Sequence, residues 1–352
     1  YTEENTLSLH DALPICFPVR IAHPPRQGNE PEDAQLKRTV ALALRENSGD
    51  LLVFLPGLRE IQRAQGLLSQ LAADAGAELL ALHGELPVDQ QAAVMRGAVH
   101  GRRIVLATNV AESSVTLPGV RAVVDSGLAR EPRFDPNSGF SRLTTVSISQ
   151  ASADQRAGRA GRVAPGTCYR LWPESQRLEP ARRPELMQVE LSGLRLELAA
   201  WGSAALPFVD APPAGAMSQA EDLLRALGAL DASLGLTPLG RRMLNLGTHP
   251  RLAAMLCAAS DALHTAVACD LLALIESRDP LRGEARRRED WASRWQVLQD
   301  LRAGRAAPDT DRAALTVIDQ AAKQWRRRLR IAEPSQAMAV QVLGDVLLHA
   351  FP

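Results

Sequence analysis

The chain has 352 residues, 46% of them hydrophobic, enough to build two or three domain cores. Its 40 basic and 40 acidic side chains cancel to zero, so bulk charge argues neither for nor against a nucleic-acid partner. No apolar run reaches the ~18 residues of a membrane-spanning helix, and no basic stretch leads into an apolar one at the start, which excludes a membrane span and a visible secretory signal.

The basic residues are almost all arginine, with only Lys37 and Lys323 as lysines. Arginine suits two-pronged phosphate contacts. Cys16, Cys168, Cys257 and Cys269 are scattered without Cys-x-x-Cys spacing, so neither a zinc site nor a redox pair is indicated. Separate reduced thiols fit a cytoplasmic protein.

Asn5–Ile15 resembles a translated sequencing adapter, and residues 1–16 are set apart as an artefact or disordered tail. The chain starts without Met and stops at Pro352 just after an apolar helical run, so both ends read as truncations. From Ala34 the pattern alternates. Helices are expected over Ala34–Leu44, Leu58–Ala72 and Val88–Val99, and strands over Asp50–Leu55, Ala77–Leu82, Arg103–Ala107 and Val120–Asp125. This alternation predicts an α/β domain with a mostly parallel sheet covered on both faces. Ligands of such sheets sit beyond the carboxyl ends of the strands. Pro56-Gly57, His83-Gly84 and Thr108-Asn109 all fall at such ends.

Hydroxyls and free amides after a strand, as at Thr108-Asn109 and Glu112-Ser113-Ser114, can hold phosphate from a nucleic-acid backbone or a nucleotide. They equally fit a capped helix start, and Glu112 could instead pair with an arginine. Asp125–Arg142 reads as a hairpin turning at Asp135–Gly139, with Arg133, Phe134, Phe140 and Arg142 beside the turn. Such an arm could wedge between strands or be an ordinary surface hairpin.

Gln155–Arg162 carries three arginines and two glycines in eight residues. If it opens a helix, Gln155, Arg159 and Arg162 share one face. Guanidinium groups there can neutralise charge on a transferring phosphoryl group, while Gln155 orients water and Gly158 and Gly161 allow close approach of a partner surface. A solvated arginine-rich turn is the plainer alternative. No Gly-x-x-x-x-Gly-Lys-Ser/Thr loop occurs, so the sequence holds no complete phosphate cradle of its own.

Beyond residue 185 the pattern becomes helical. Leu191–Trp201 is one helix, Ser218 with Glu221 reads as a capping box for another, and Leu230–Gly240 as a tight turn into a third, together suggesting a winged helix. His249 reads as a helix-start residue, and Thr265–Ile275 as a bundle helix. Trp291 and Trp295 share a helical face that could stack bases or pack in a core, and Arg326–Arg330 reads as a basic patch.

Asp50–Pro56, Ile104–Gly119 and Gln155–Arg162, with the hairpin between the last two, resemble motifs IV, V and VI of superfamily 2 helicases of the DEAH/RHA group. Leu191–Leu194, Glu197–Gly202 and Asn245–Leu256 extend the resemblance to the bacterial HrpB family within that group, over Phe17–Pro352. The resemblance implies a second RecA-like domain over residues 17–185 with a protruding hairpin near 125–145. A winged-helix domain would follow over 186–248, then a ratchet-like helical bundle over 249–352. It further implies the carboxyl-terminal motor half of an ATP-dependent helicase, a cytoplasmic monomer acting on single-stranded RNA.

By the same resemblance Arg159 and Arg162 are arginine fingers and Gln155 contacts the ATP phosphates or the hydrolytic water. Pro56, Gly57, His83, Gly84, Thr108, Asn109 and Ser113 face the nucleic-acid backbone. Mg2+ and the remainder of the ATP site belong to a first RecA-like domain in cis, which this sequence does not contain. Pro118 stands where relatives often carry an acid, which would weaken recognition of the nucleotide sugar or base. The competing reading is a non-catalytic nucleic-acid-binding or scaffold module on the same fold.

Overall fold

The computed structural model describes residues 17–97, 101–112, 117–135, 139–203, 206–288, 290–305, 308–331 and 341–352. The chain divides into two compact units, Tyr1–Val189 and Glu190–Pro352. The adapter-like residues 1–16 lie outside the described residues.

The strands of the first unit are β1 (Val19–Ala22), β2 (Asp50–Phe54), β3 (Ala77–Leu82), β4 (Arg102–Ala107), β5 (Val120–Asp125), β6 (Leu128–Asp135), β7 (Phe140–Ser147) and β8 (Gly166–Arg170). Six form an all-parallel sheet in the order β1-β8-β5-β2-β4-β3. The other two, β6 and β7, pair as a separate antiparallel hairpin. The helices are α1 (Glu32–Glu46), α2 (Leu58–Asp74), α3 (Val88–Met95) and α4 (Gln150–Gly158).

The central strands are continuously apolar because both sheet faces are covered. Successive side chains point to opposite faces, so each strand feeds two cores. Leu51, Val53, Ile104, Leu106, Ala122 and Val124 pack with Leu36 and Val40 of α1 and Ile61 and Leu68 of α2. Leu52, Phe54, Val105, Ala107 and Val123 pack on the other face with Val94 of α3, Ala157 of α4 and Ala160.

Two elements differ from expectation. The sheet gains β1, a four-residue edge strand between Pro18 and His23 that is too short to show periodicity. Helix α4 opens at Gln150, where the Ser149 hydroxyl accepts from the Ser152 N–H at 3.2 Å. The Gln155–Arg162 segment therefore ends a helix rather than opening one, and passes into a 3-10 turn at Arg159–Gly161. Similarly, Glu112 follows a single 3-10 turn over Asn109–Ala111, and the helix expected from it lies outside the described residues.

The second unit is helical: α5 (Ser192–Trp201), α6 (Ala214–Ala226), α7 (Pro238–Leu246), α8 (Pro250–Ala258), α9 (Ala262–Glu276), α10 (Trp291–Arg302), α11 (Arg312–Leu329) and α12 (Gln341–Leu348). Between α6 and α7 the chain makes a small wing, closed by an antiparallel bridge between Leu230 and Leu236. The Thr237 hydroxyl accepts from the Gly240 N–H at 2.9 Å and Pro238 occupies the first turn, which starts α7. The expected capping box is not used. Helix begins directly after Pro213, so Ser218 lies inside α6, and Glu221 instead pairs with Arg195 at 2.8 Å. Helix α9 is buried from Ala266 through Leu274, which makes it the central helix of this unit.

Candidate nucleic-acid and phosphate sites

The carboxyl ends of the strands are laced together in sheet order. Leu171 N–H donates to the Asp125 carbonyl (2.9 Å), Ser126 to Phe54 (3.2 Å), Leu55 to Ala107 (2.8 Å) and Thr108 to Leu82 (3.2 Å). This brings Pro56-Gly57, Thr108-Asn109 and His83-Gly84 side by side on the adjacent strands β2, β4 and β3. Asn109 and Gly84 are exposed, and Thr108 and His83 are half-buried. The Nδ1 atom of His83 is buried without a hydrogen-bond partner. Ser113, expected at the same rim, lies outside the described residues.

Pro56 and Gly57 are buried. A Cβ at Gly57 would lie 2.7 Å from the Arg130 guanidinium carbon. Arg130 comes from β6, covers Gly57 and pairs with Glu60 at 3.4 Å. The side chain presented beside β2 is thus Arg130, which no motif spacing had singled out. Its signal was faint: an arginine two residues past the start of a strand that leaves the same rim.

Sequence reasoning also passed over Arg156, a buried and fully engaged arginine of the first unit. It is 1% exposed. Its Nε donates to Glu112 (2.9 Å), and its Nη1 donates to Asp125 (2.9 Å) and to the Leu128 carbonyl (3.2 Å). The guanidinium also lies 4.8 Å from the Phe54 ring centroid. One cation thereby fastens the ends of β2 and β5, the turn after β4 and the root of the hairpin. Glu112 is resolved as an ion-pair partner. Burial pushes the Asp125 carboxyl up, against the pull of Arg156, and its Oδ2 has no hydrogen-bond partner.

Gln155, Arg159 and Arg162 do not present one continuous face. Gln155 is exposed, Arg159 is buried and Arg162 is half-buried. The tighter 3-10 winding changes the phase of the side chains after Gly158. Both Nε (3.0 Å) and Nη2 of Arg159 donate to the main-chain carbonyl of Glu112. Burial, and then the charge of Arg162, lower Arg159 to about 10, so it stays charged at neutral pH. Gly158 and Gly161 are buried within the unit and are not offered to a partner surface.

Arg156 lies at the strand carboxyl ends, whereas the last residues of the arginine segment reach the strand starts. The Gly161 carbonyl accepts from the Phe17 N–H (3.2 Å), next to the start of β1. A Cβ on Gly166, the first residue of β8, would meet the Ala160 carbonyl and lie 2.6 Å from that of Arg121. The segment's end is therefore wedged among strand starts. Pro118 is at this end too: its carbonyl accepts from Arg103, whose buried guanidinium pairs with Asp50 at 2.6 Å. Pro56-Gly57, His83-Gly84 and Thr108-Asn109 stand at strand carboxyl ends as expected, and Arg162 and Pro118 follow or precede strand starts.

The hairpin register places Arg133 directly opposite Arg142, and Phe134 opposite Ser141. Facing like charges destabilise a ladder. Glu131 (3.8 Å) and Asp135 (3.9 Å) offset them only at long range. Phe134 is 37% exposed and Phe140 half-buried. The turn residues 136–138 lie outside the described residues.

In the second unit His249 caps α8, its Nδ1 accepting from Arg251 N–H (3.2 Å) while Nε2 faces Glu190 (3.1 Å). Trp295 is buried with its Nε1 donating to Asp270 (3.2 Å), which removes it from any stacking platform. Arg326 is likewise buried and paired with Asp270, so the Arg326–Arg330 run is not a uniform surface patch. Cys168 is buried, and burial raises its thiol far above the ordinary value. Among the described residues no group of His, Cys, Asp and Glu could hold a metal ion, and no helix is long and apolar enough to cross a membrane.

A parallel RecA-like sheet with a polar strand rim, an arginine-ended helix behind it, and a winged helix within a helical unit define the carboxyl-terminal part of a superfamily 2 helicase. Residues 34–164 match the family model "Helicase conserved C-terminal domain", and 220–247 match "Helicase associated domain (HA2), winged-helix". The chain is 42% identical over 268 residues to the ATP-dependent RNA helicase HrpB of Escherichia coli K12, covering 74% of this chain and 33% of that protein. It is 40% identical over 252 residues to the pre-mRNA-splicing factor ATP-dependent RNA helicase prp22 of Schizosaccharomyces pombe, covering 68% and 22%. A crystal structure of the Escherichia coli DEAH/RHA helicase HrpB superposes with a TM-score of 0.74 at 35% identity, over 95% of this chain and 40% of that one. A second HrpB structure, of the E. coli DExH-box NTPase, gives 0.70 over 95% and 39%. The chain belongs to the DEAH/RHA helicase family, and it spans a third or less of the curated relatives named here.

Proposed function

We propose that this chain forms the second motor domain and accessory domains of a cytoplasmic ATP-dependent RNA helicase. The observation that carries the reading is the shared rim. His83-Gly84 and Thr108-Asn109 follow the neighbouring strands β3 and β4, and Arg130 of the hairpin strand β6 reaches over Gly57 at the end of β2. Neutral donors beside one guanidinium suit a phosphodiester backbone, which is positioned by hydroxyls, amides and arginines without base recognition. The unpaired cysteines Cys168, Cys257 and Cys269 fit a reducing compartment. Residues to about 248 act as a winged-helix domain and those beyond as a ratchet-like bundle, in a monomer.

The residues present fit a donated share of an ATP site. When bound, ATP supplies the phosphoanhydride bond whose cleavage drives movement. Arg162, half-buried at the strand-start end, would hold phosphoryl charge, and Arg159 would support it from its anchor on Glu112. Gln155, on the exposed face of α4, would position phosphate or water. Mg2+ and the phosphate cradle come from a P-loop-bearing domain. By itself the chain is a nucleic-acid-binding module, which is the reading favoured for isolated material by the absence of Gly-x-x-x-x-Gly-Lys.

The test is ATP hydrolysis with and without single-stranded RNA. The chain alone should show no turnover. Joined to a P-loop-bearing motor domain, it should show RNA-stimulated turnover that falls about a thousandfold in Arg162→Ala, with nucleotide affinity much less affected. Undiminished turnover in that variant excludes the finger role. Turnover by the unjoined chain excludes the division of the ATP site.

A further inference from the structure

Strands β6 and β7 pair in unbroken register from Leu128–Ser147 to Asp135–Phe140, as a sheet of their own. Two strands alone hold together only marginally in water, and a third strand or a packed face ordinarily completes such a sheet. The two outer edges differ. On β6 the Phe134 N–H turns away from β7 and donates to the Gln188 carbonyl (2.8 Å), and Pro132 has no N–H to offer. On β7 residues 141–145 and Ser147 are exposed.

The ladder fixes which groups of β7 face outward. In an antiparallel pair, alternate residues turn both N–H and C=O towards the partner strand. Phe134 turns away, so Ser141 opposite it does too, and with it Leu143, Thr145 and Ser147. Ile148, next in phase, turns its N–H inward to the Gly127 carbonyl (3.0 Å), as this alternation requires. Among the described residues nothing bonds the outward main-chain groups of Leu143, Thr145 or Ser147. The usual protections of a free edge, a proline, a lysine or a bulge, are missing from β7. Its Phe-Ser-Arg-Leu-Thr-Thr-Val-Ser run is instead rich in strand-forming residues.

We propose that the outer edge of β7 receives an extended segment of a protein partner as a third, antiparallel strand, acidic on one face and apolar on the other. Charge selects the acidic face. Arg142 stands beside Arg133 there, and their carboxylates are distant: Asp135 at 3.9 Å, and Glu131 at 3.8 Å, which Arg182 shares at 2.8 Å. Towards an incoming strand Arg142 occupies a non-hydrogen-bonded position, where facing side chains come closest. An acid opposite it offsets the like-charge pair. On the other face Leu143 is 66% exposed, and the neighbouring strand adds Pro132 and Phe134, a ledge for apolar side chains. Main-chain bonds along the edge supply affinity, and alternate side chains supply selectivity. This binding needs neither ATP nor RNA.

The test uses the full chain and a fluorescein-labelled peptide of alternating Val and Glu, matched in length to the eight residues of β7. Anisotropy reads binding and NMR reads main-chain amide exchange. Saturation should slow exchange at Leu143, Thr145 and Ser147, and leave Arg142, Thr144 and Val146, already turned to β6, little changed. In the antiparallel arrangement the Val N–H groups of the peptide face β7. N-methylation of every Val should therefore cost about tenfold or more in affinity, and N-methylation of every Glu little. Thr145→Pro removes one outward N–H and none from the β6–β7 ladder, and should weaken binding up to about tenfold. Arg142→Glu should weaken the Val-Glu peptide and favour one of alternating Val and Lys. No binding, undiminished binding of the N-methyl-Val peptide, or no protection at the three amides overturns strand addition. Protection by single-stranded oligouridine and not by the peptide overturns it in favour of RNA. Protection in the free chain that fades on dilution overturns it in favour of a second copy.

Discussion

At the level of single residues, two arginines three apart, Arg156 in the last turn of α4 and Arg159 in the 3-10 turn after it, are separated by where their charge ends. Arg156 is sealed between Asp125, Glu112 and Phe54, whereas Arg159 terminates on a carbonyl. Removing one partner of a buried pair leaves the other charged and unsolvated, so Arg156→Ala should destabilise the first unit by about 3–5 kcal/mol. Arg162, half-buried at the helix end, should cost less than ~1 kcal/mol on replacement by Ala. Urea unfolding of both variants checks this, and equal midpoints would remove Arg156 from its anchoring role. The pattern Arg-x-x-Arg-x-x-Arg announced chemistry. It carried nothing about which arginine builds the sheet edge, because burial depends on Asp125 and Glu112, distant in sequence.

Among the elements, the hairpin shows where stability and function pull apart. Arg133 and Arg142 face each other across the β6–β7 ladder, an arrangement that costs roughly 0.2–1 kcal/mol relative to an attractive pair. Arg142→Glu should therefore leave the thermal midpoint unchanged or slightly raised while weakening single-stranded RNA binding. If affinity is unaffected, the arm does not touch RNA. The elements themselves were largely readable: β3 and β5 match their expected bounds, and α2 extends only two residues past its expected end. The misses have local causes. Strand β1 is four residues long and stabilised by pairing with β8, which sequence periodicity does not register. The Ser218 capping box was a plausible local signal, overridden by a helix that starts as soon as the prolines allow.

For the molecule as a whole, acid sensitivity should be pronounced in the second unit. Asp311 is held below the ordinary 3.8 by a bond from Arg282 and then by the Ala314 N–H. Burial alone would raise Asp319, but bonds from Lys323 and Arg302 outweigh it; Glu190 is likewise lowered from 4.5 against burial by His249 and Ser192. A lowered folded value means these groups stabilise the fold fully above their unfolded values of 3.8–4.5, and the contribution is lost as pH falls through the lower folded values. The thermal midpoint of the second unit should therefore drop as pH is taken from about 5 to about 3. A midpoint constant over that range would show that these ion pairs contribute nothing net.

By itself the sequence determined the class of the first unit, its two-faced sheet and the arginine-rich segment of a phosphate-handling family. Alternation of apolar runs with helical periodicity is a local property that survives without contacts. Tertiary structure decided the placement of the charges. It put Arg130 over Gly57, buried Arg156, Arg159 and Arg326, left Arg241, Arg327 and Arg330 outside, and set the polar rim and Arg162 towards opposite ends of the sheet. A guanidinium reads the same in sequence whether it is sealed beside a carboxylate or standing in water; only the fold fixes its neighbours and hence the work its charge can do.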